Sequence, residues 1–406
     1  MDPVDRRFIL AGAGLVGVTA LARSARGGPI DPPQGPVSST GRTLDQIYDK
    51  IAAGGEHGKA ETRKPITSCP SSPNAQFVVT EPGVYYLPHN LTGEPNKCCI
   101  EIRASHVTID GDDYTITGVP GTLACIQAVG DATSPPCWIE LDSIAFRGWQ
   151  GAPCCDLSLA GSSRIEGCWF DSCSSVDNNG LAGPVCVMGS SCVMYDCDAR
   201  HCVGGMCSAG AGSVIEECLC ADGSGGPAFR CEPGCTVEDN FVVGNDAPAL
   251  VASGRCVVLY NRFVDVSGGV DVGPASVVEE NDIECRPDAA LSSCITIRGE
   301  RCCVQENYCS GGGIVVLPGG NGTLIESNHL SGVSSGGGGG GGGGFIAVYD
   351  GATRCHISSN RCRNASTTSA FSIAPGNSYG PLVTVAGAGD ISALPNSSHP
   401  EANFAC

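Results

Sequence analysis

The stretch SVVEEN, residues 276–281, recurs in variant form nine times in the second half of this 406-residue chain. Each copy ends on a Cys or an Asn, which we call the anchor, and copies follow one another about every 21 residues, with longer spacings in a few places. A repeat of this length predicts a solenoid, in which each repeat is one coil stacked on the next. The anchors are Cys168, Cys197, Cys218, Asn240, Asn261, Asn281, Asn307, Asn328 and Asn360.

Apolar and polar positions alternate around each anchor, which is the two-residue period of a strand. Helical solenoids need longer repeats and a period near 3.6, and the spaced leucines of leucine-rich repeats are missing. We therefore predict an all-β solenoid whose coils, of about 21 residues, consist of short strands and turns and stack in parallel. Three residues before the anchors, every position is apolar: Ile165, Met194, Ile215, Val237, Val258, Val278, Val304, Ile325 and Ile357.

The anchors themselves support stacking. A side-chain amide one rung away from an identical amide, about 4.8 Å along the axis, can donate to it and accept from it. Six consecutive Asn anchors are expected to form such a ladder, whereas the three Cys anchors are expected to fill the interior as small apolar groups.

Two upstream segments extend the pattern: FVVTEPGVYYLPHNLTG, residues 77–93, and HVTIDGDDYTITG, residues 106–118. With the anchors, they resemble the right-handed parallel β-helix, or pectin-lyase-like, superfamily, and are similar to the opening coils of exported bacterial β-helix proteins of unassigned function. The resemblance covers about residues 67–395 and implies a single-stranded right-handed parallel β-helix with coils of about 21 residues. It implies a fold rather than an activity, because this architecture is found in lyases, hydrolases, adhesins and inert scaffolds.

The N-terminus predicts export. Arg6 and Arg7 precede a short apolar run, so residues 1–28 are interpreted as a twin-arginine-type signal peptide, with an uncleaved anchor as the alternative. Residues 29–66 are predicted to be a Pro/Gly-rich linker with a short capping helix over residues 43–52, and residues 396–406 a tail. We expect a periplasmic, cell-surface or extracellular protein, with no membrane insertion after signal cleavage.

Forty-two acidic residues against 23 basic ones give a net charge of −19, which argues against nucleic acid and anionic membranes as partners. Many acids occupy the two positions before the anchors, where stacking would form an acidic ridge. One interpretation is a solvated face; the other is weak calcium binding by carboxylates of neighbouring coils. The residues that we assign to the calcium hypothesis are Glu216, Glu238, Asp239, Glu279 and Glu280.

Twenty-seven cysteines suit an exported protein better than a reduced cytosolic one. Small residues, several of them Cys, occupy the position five before each anchor, and we expect them to point inward as a mixture of disulfides and free thiols. The odd total leaves at least one thiol unpaired. Metal binding is the rival hypothesis, although no compact CxxC pair stands beside another.

No intact catalytic set is recognisable. The resemblance to polygalacturonate hydrolases implies an Asn-Thr-Asp strand, an Asp-Asp pair, a Gly-His-Gly turn and an Arg-Ile-Lys strand, of which only the pair Asp112-Asp113 is present. This pair is interpreted as a turn between two strands. The four lysines all precede the repeats, so a lyase base would have to be Arg or His.

One outward column, directly after the anchors, is a candidate binding platform, because it mixes charged and aromatic groups suited to sugar hydroxyls and ring faces. The alternative is an ordinary polar surface. Four positions before the anchors, a column rich in valine lies on the outside and leaves an oligomer possible. The platform residues are Arg262, Asp282, Tyr308, His329 and Arg361.

Three functions are compatible with the sequence. The first is an exported envelope or surface protein that binds a polysaccharide or cell-envelope glycan, or serves as a rigid scaffold. The second is a polysaccharide lyase or glycoside hydrolase, and the third a periplasmic metal-handling accessory protein. No cofactor is predicted with the exception of calcium, and whether the protein is an enzyme stays open.

Overall fold

The computed structural model describes residues 63–130, 135–176, 182–286, 293–331, 345–363, 370–385 and 394–405. These residues wind into a right-handed parallel β-helix, which confirms the predicted fold. Each coil passes in turn through three parallel sheets that we call B, A and C. Coils average about 23 residues, since some turns are longer than the common repeat. The predicted signal peptide and capping helix lie outside the described residues.

Within the described residues, the strands have the following bounds, given sheet by sheet in spatial order. Sheet A contains Lys64–Pro65, Gly83–Tyr86, Val107–Asp110, Ile139–Asp142, Arg164–Glu166, Val193–Tyr195, Val214–Glu216, Thr236–Glu238, Val257–Leu259, Val277–Glu279, Cys303–Gln305, Leu324–Glu326, His356–Ser358 and Ser378–Tyr379. Sheet B contains Ala75–Val79, Cys98–Ile102, Ile126–Ala128, Cys155–Leu157, Cys186–Met188, Cys207–Ala209, Phe229–Cys231, Pro248–Ala252, Gly268–Val272, Ser293–Ile297, Gly313–Val316, Ile346–Val348 and Phe371–Ile373. Sheet C contains Leu91–Thr92, Thr115–Thr117, Ala145–Arg147, Trp169–Asp171, Asp198–Arg200, Leu219–Ala221, Phe241–Val243, Arg262–Val266, Asp282–Cys285, Tyr308–Ser310, His329–Ser331, Arg361–Cys362, Asn403–Ala405 and Leu382–Thr384.

Two smaller elements accompany the sheets. Ser175–Val176 and Ala182–Gly183 pair as an antiparallel hairpin beside the solenoid. Ile66–Ser68 forms a single 3₁₀ turn near its start. None of the helices in the described part of the chain has the length and apolar character needed to span a membrane.

The core is a column of side chains inside the three sheets. Strand pairing keeps equivalent residues in register, so Val258 lies between Val237 and Val278 on the neighbouring strands of sheet A. All three are fully buried, and the flanking strand residues face outward. The alternation read from the sequence is therefore the inside–outside alternation of the strands.

Asn anchors form the expected ladder at the turn from sheet A to sheet C. Asn281 Nδ2 donates to the carbonyl oxygens of Val258 and Glu279 and to Asn307 Oδ1, at 2.9–3.0 Å. Its own Oδ1 accepts from the backbone N–H and the Nδ2 of Asn261, each at 3.0 Å. The amide thus closes the turn within its coil and joins the coils on both sides.

The residue before each anchor adopts a left-handed conformation, for example Glu280 with a φ of 53° and Glu306 with a φ of 54°. Such a φ costs a non-glycine residue energy, and the ladder amide compensates by holding the turn on both sides. The sharp turn therefore depends on the anchor rather than on glycine.

Cysteine anchors make the same turn with a thiol. Cys197 Sγ donates to the carbonyls of Tyr195 at 3.3 Å and Ile165 at 3.6 Å, and Cys218 Sγ donates to those of Glu216 and Met194. These are the positions to which an anchor Asn donates. The Cys anchors are buried as expected, but they act as hydrogen-bond donors and not only as apolar filler.

Cysteines elsewhere also point inward. The column five before the anchors is buried, and in the described residues no disulfide joins two cysteines, so the expected disulfides are not observed there. Cys256 Sγ donates to the carbonyl of Gly254 at 3.2 Å, and Cys355 Sγ to that of Gly320 at 3.2 Å. Burial raises the pKa of the Cys192 and Cys302 thiols above the ordinary value.

The C-terminal segment expected as a tail is part of the solenoid. Asn403–Ala405 adds a strand to sheet C, between Arg361–Cys362 and Leu382–Thr384. Asn403 Oδ1 accepts from the backbone N–H and the Nδ2 of Asn360, both at 3.1 Å. Asn403 is therefore a seventh amide of the ladder, which the sequence repeat does not reveal because the intervening chain is longer.

Candidate functional site: a groove on sheet A

The turn from sheet B to sheet A places an exposed residue six positions before each anchor, again with positive φ. At the equivalent turn position of two upstream coils this residue is aromatic: His106 with a φ of 58° and Trp138 with a φ of 59°. Their rings stack, with centroids 6.3 Å apart and planes 11° from parallel. Trp138 is 60% exposed, the most exposed of the large apolar side chains described.

The two rings border a groove of about 800 Å³ that follows the solenoid axis. Its floor is formed by outward side chains of successive sheet A strands, which lie in register with one another: Val84, Thr108, Glu140, Arg164 and Val193. The wall beyond the rings is formed by Ser162 and Ser191, at the same turn position in the next two coils.

Polar groups in the groove are held in place by their neighbours. Thr108 Oγ1 donates to Glu140 Oε2 at 3.1 Å. Arg164 Nε donates to Glu166 at 2.6 Å, and its guanidinium lies 5.6 Å from the ring centroid of Tyr195. The groove thus offers exposed ring faces, hydroxyl groups, a carboxylate and an oriented guanidinium, a combination suited to a ligand rich in hydroxyl groups.

A smaller cleft of about 340 Å³ lies on sheet C of the same coils. It is bordered by Trp169, Asp171 and Arg147. Asp171 contacts Arg147 Nε at 3.2 Å and His201 Nδ1 at 3.5 Å, and the other ring nitrogen of His201 lies 3.8 Å from Asp222. Beside the cleft, the imidazole of His201 therefore lies between the carboxylate of Asp171, which lines the cleft, and that of Asp222.

The predicted platform residues stack in single file on sheet C, as the register of the strands shows. Arg262 Nε is 3.6 Å from Asp282, and its guanidinium is 5.6 Å from the ring of Phe241. Tyr308 and Ser331 are joined by a hydrogen bond of 3.2 Å. His329 and Arg361 continue the file. Neither the groove nor the cleft includes any of the five residues.

The acids of the calcium hypothesis fall into two groups. Glu216 lies beside Glu238 on the next strand, but Leu259 and Tyr260 separate Glu238 and Asp239 from Glu279 and Glu280. Partial burial, then the charges of Asp239 and Glu216, raise the pKa of Glu238. In the described residues no three His, Cys, Asp or Glu side chains are grouped as ligands. Calcium binding stays a prediction.

Asp112 and Asp113 form a turn, as interpreted, with φ values of 46° and 61°. Asp113 borders the sheet C cleft, and Asp112 accepts a hydrogen bond from Arg63 at 3.2 Å.

The sequence repeats do not single out His106 and Trp138, because both lie upstream of Cys168, before the nine anchored repeats that define the columns. Ile144 is the anchor of the preceding coil, and its neighbour Ser143 has the φ of 52° typical of that turn. Counting back six positions from Ile144 leads to Trp138. The sequence pattern therefore identifies Trp138 as a turn residue of this column, but it does not show the groove beside the ring.

No protein-family model matches the chain. No curated protein matches it in sequence. Among solved structures, DFA-IIIase from Arthrobacter chlorophenolicus A6 without its lid matches with a TM-score of 0.51 at 14% identity, over 79% of this chain and 98% of that one. Its complex with GF2 gives a TM-score of 0.53 at 13% identity, with the same coverage. The mannuronan C-5 epimerase AlgE6 A-module of Azotobacter vinelandii is similar with a TM-score of 0.46 and 14% identity. That match covers 73% of this chain and 89% of the other. At these identities the likeness shows the fold alone.

Proposed function

We propose that this chain is an exported β-helix protein that binds a polysaccharide in the groove on sheet A. The observation that carries the proposal is the exposed Trp138–His106 stack at the edge of a groove that runs along the axis. Export rests on the N-terminal sequence, with its paired arginines and short apolar run.

A solenoid groove suits a linear polymer. Equivalent side chains recur at each rung, about 4.8 Å apart, so a repeating ligand can make repeating contacts. Exposed rings provide flat apolar faces for sugar rings, and Tyr or Trp side chains contribute strongly to binding when a ligand covers them. Ser162, Ser191 and Glu140 supply donors and acceptors for hydroxyl groups.

The test is a binding screen of the exported protein against neutral and acidic polysaccharides, followed by Trp138→Ala. We expect the variant to bind at least about tenfold more weakly, as for an aromatic residue central to a binding site. Trp169→Ala is the matched control, because Trp169 is also exposed but lies on sheet C. Equal affinity of the wild type and Trp138→Ala for every bound glycan would exclude the groove as the site.

A second candidate function, polysaccharide cleavage, is favoured by one observation. His201 lies between Asp171, which lines the sheet C cleft, and Asp222 beside it, and carboxylates and an imidazole are groups used in acid–base catalysis. New reducing ends or unsaturated products released by the wild type but not by Asp171→Asn would support it. Release of product by both proteins would place any activity elsewhere.

A further inference from the structure

The turn column that starts with His106 and Trp138 continues along the whole solenoid. Its position lies six residues before each anchor, is exposed in every coil and has positive φ throughout. Downstream of the groove it changes from small residues to arginine in alternate coils. Its members after Trp138 are Ser162, Ser191, Gly212, Gly234, Arg255, Ala275, Arg301, Gly322, Arg354 and, by strand register in the last coil, Gly376.

Arginine at this position is not explained by the backbone. Arg255, Arg301 and Arg354 have φ values of 51°, 59° and 59°, in a region where glycine is favoured and glycine indeed occurs in neighbouring coils. Serine and alanine stand at the same position with similar φ values, so the turn gives no structural reason for a long charged side chain.

These arginines are also poorly neutralised. Among the ion pairs of the described residues, Arg255 and Arg354 have none, and Arg301 has one distant contact of 3.9 Å with Glu300 between two exposed side chains. An exposed pair at this distance contributes little. Three guanidinium groups therefore project from one edge of a protein whose net charge is −19.

We propose that this edge binds the anionic groups of the polysaccharide whose other end occupies the groove, and that this ligand carries one anionic group on every second sugar. The proposal rests on the proposed function. Arg255, Arg301 and Arg354 are separated by two coils each, or about 9.6 Å for two rungs. Rungs are about 4.8 Å apart. A sugar unit of an extended chain has a similar length, so every second sugar meets an arginine.

The acidic ridge does not oppose this arrangement. Its residues lie one or two positions before the anchors, on the other edge of sheet A, four residues away from the arginine column. Four extended residues span about 13 Å, which exceeds the screening length of about 8 Å at physiological ionic strength. Guanidinium groups also match carboxylate and sulfate oxygens in a bidentate manner.

The experiment measures binding of three probes: hyaluronan, with one carboxylate per disaccharide; polygalacturonate, with one per sugar; and neutral dextran. The test variant combines Arg255→Gly, Arg301→Gly and Arg354→Gly, because glycine fits this turn without strain. The matched control, Arg230→Ala with Arg298→Ala and Arg363→Ala, removes the same charge from exposed positions elsewhere. Thermal unfolding of both variants verifies that they fold.

We expect the wild type to prefer hyaluronan, the glycine variant to bind it at least tenfold more weakly with less dependence on salt, and the control to bind as the wild type does. Equal binding by the two triple variants, or no preference for hyaluronan over polygalacturonate, would overturn the proposal. The proposed function fails separately, when Trp138→Ala leaves glycan binding unchanged.

Discussion

The two halves of the solenoid follow the same backbone path with different chemistry at the same turn. In the first half, residues 82–220, which we call the thiol-anchored half, the anchors Cys168, Cys197 and Cys218 donate S–H groups to backbone carbonyls, whereas the anchor Ile144 has no donor. In the amide-anchored half, residues 240–403, Asn side chains donate to the same positions and also accept from the preceding coil. The turn therefore does not require a donor at the anchor, since Ile144 makes it as well, while the additional acceptor is what only an amide supplies.

This difference coincides with a difference in surface. The groove and the sheet C cleft lie in the thiol-anchored half, and the predicted platform and the arginine edge lie in the amide-anchored half. One backbone geometry thus carries two kinds of surface. If the two halves also differ in stability, pH and substitutions at the anchors should reveal the difference.

Alkaline pH is expected to have the largest effect. Burial raises the pKa of Cys220 to about 12, while contact with Cys231, followed by burial, raises that of Cys235 to about 11. A raised pKa in the folded state means that the unfolded chain loses its protons first, so stability is complete below about pH 9 and falls above it. Each such thiol should lower the free energy of unfolding by about 1.4 kcal/mol at pH 10.

Tryptophan fluorescence measures the unfolding temperature of the thiol-anchored half, because all three tryptophans, at positions 138, 149 and 169, lie there. We expect a lower unfolding temperature at pH 10 than at pH 7.5. Cys220→Ala, at a position where the preceding strand already has Ala199, should show a smaller loss. An unfolding temperature that does not change with pH would contradict the thiol argument.

Asn281→Ala is expected to have the next largest effect. The substitution removes the acceptor of the Asn261 N–H, one of the three acceptors of Asn261 Nδ2, and the side-chain donor to the carbonyls of Val258 and Glu279. Several buried groups lose their partners, so we expect a loss of about 3–5 kcal/mol in the free energy of unfolding. Urea unfolding measures this free energy, and Glu284→Ala, at an exposed position, is the control. Similar losses in the two variants would show that the ladder contributes little to stability.

Cys197→Ser and Cys197→Ala compare the thiol rung with the amide rung. Serine retains a donor for the carbonyls of Tyr195 and Ile165, and alanine removes it. Because thiols are weak donors, the alanine variant should lose only about 1–2 kcal/mol, and less than Asn281→Ala. A cost equal to that of Asn281→Ala in urea unfolding would mean that the two kinds of anchor are equivalent.

Glu238→Gln should have the smallest effect. Partial burial and the neighbouring charges of Asp239 and Glu216 raise the pKa of Glu238, so its ionised form destabilises the fold at pH 7. The neutral variant should be more stable by up to about 0.5 kcal/mol at low salt, and the gain should disappear at high salt. Thermal unfolding at two salt concentrations measures the gain, and a loss of stability would indicate that Glu238 has a favourable partner.

Much of the fold could be predicted from local pattern. The column of Ile165, Met194 and Ile215 is inward, the five platform residues are in file, and Asp112-Asp113 is a turn. Asn403 escaped prediction because a long intervening segment breaks the repeat, although its side chain completes the ladder. The expected disulfides could not be judged from spacing, since a thiol on an inner column can donate to a carbonyl as well as pair with another thiol.

The sequence by itself determined the solenoid, the parallel stacking of its coils and which residues face outward, because a period of two and a recurring anchor block are local properties of the chain. Only the tertiary structure decided that the coils around Trp138 are grooved and that the acids of the calcium hypothesis are divided by Leu259 and Tyr260. Concavity depends on how turns of different coils lie against one another, and it is therefore set by the stacking of coils rather than by any single repeat.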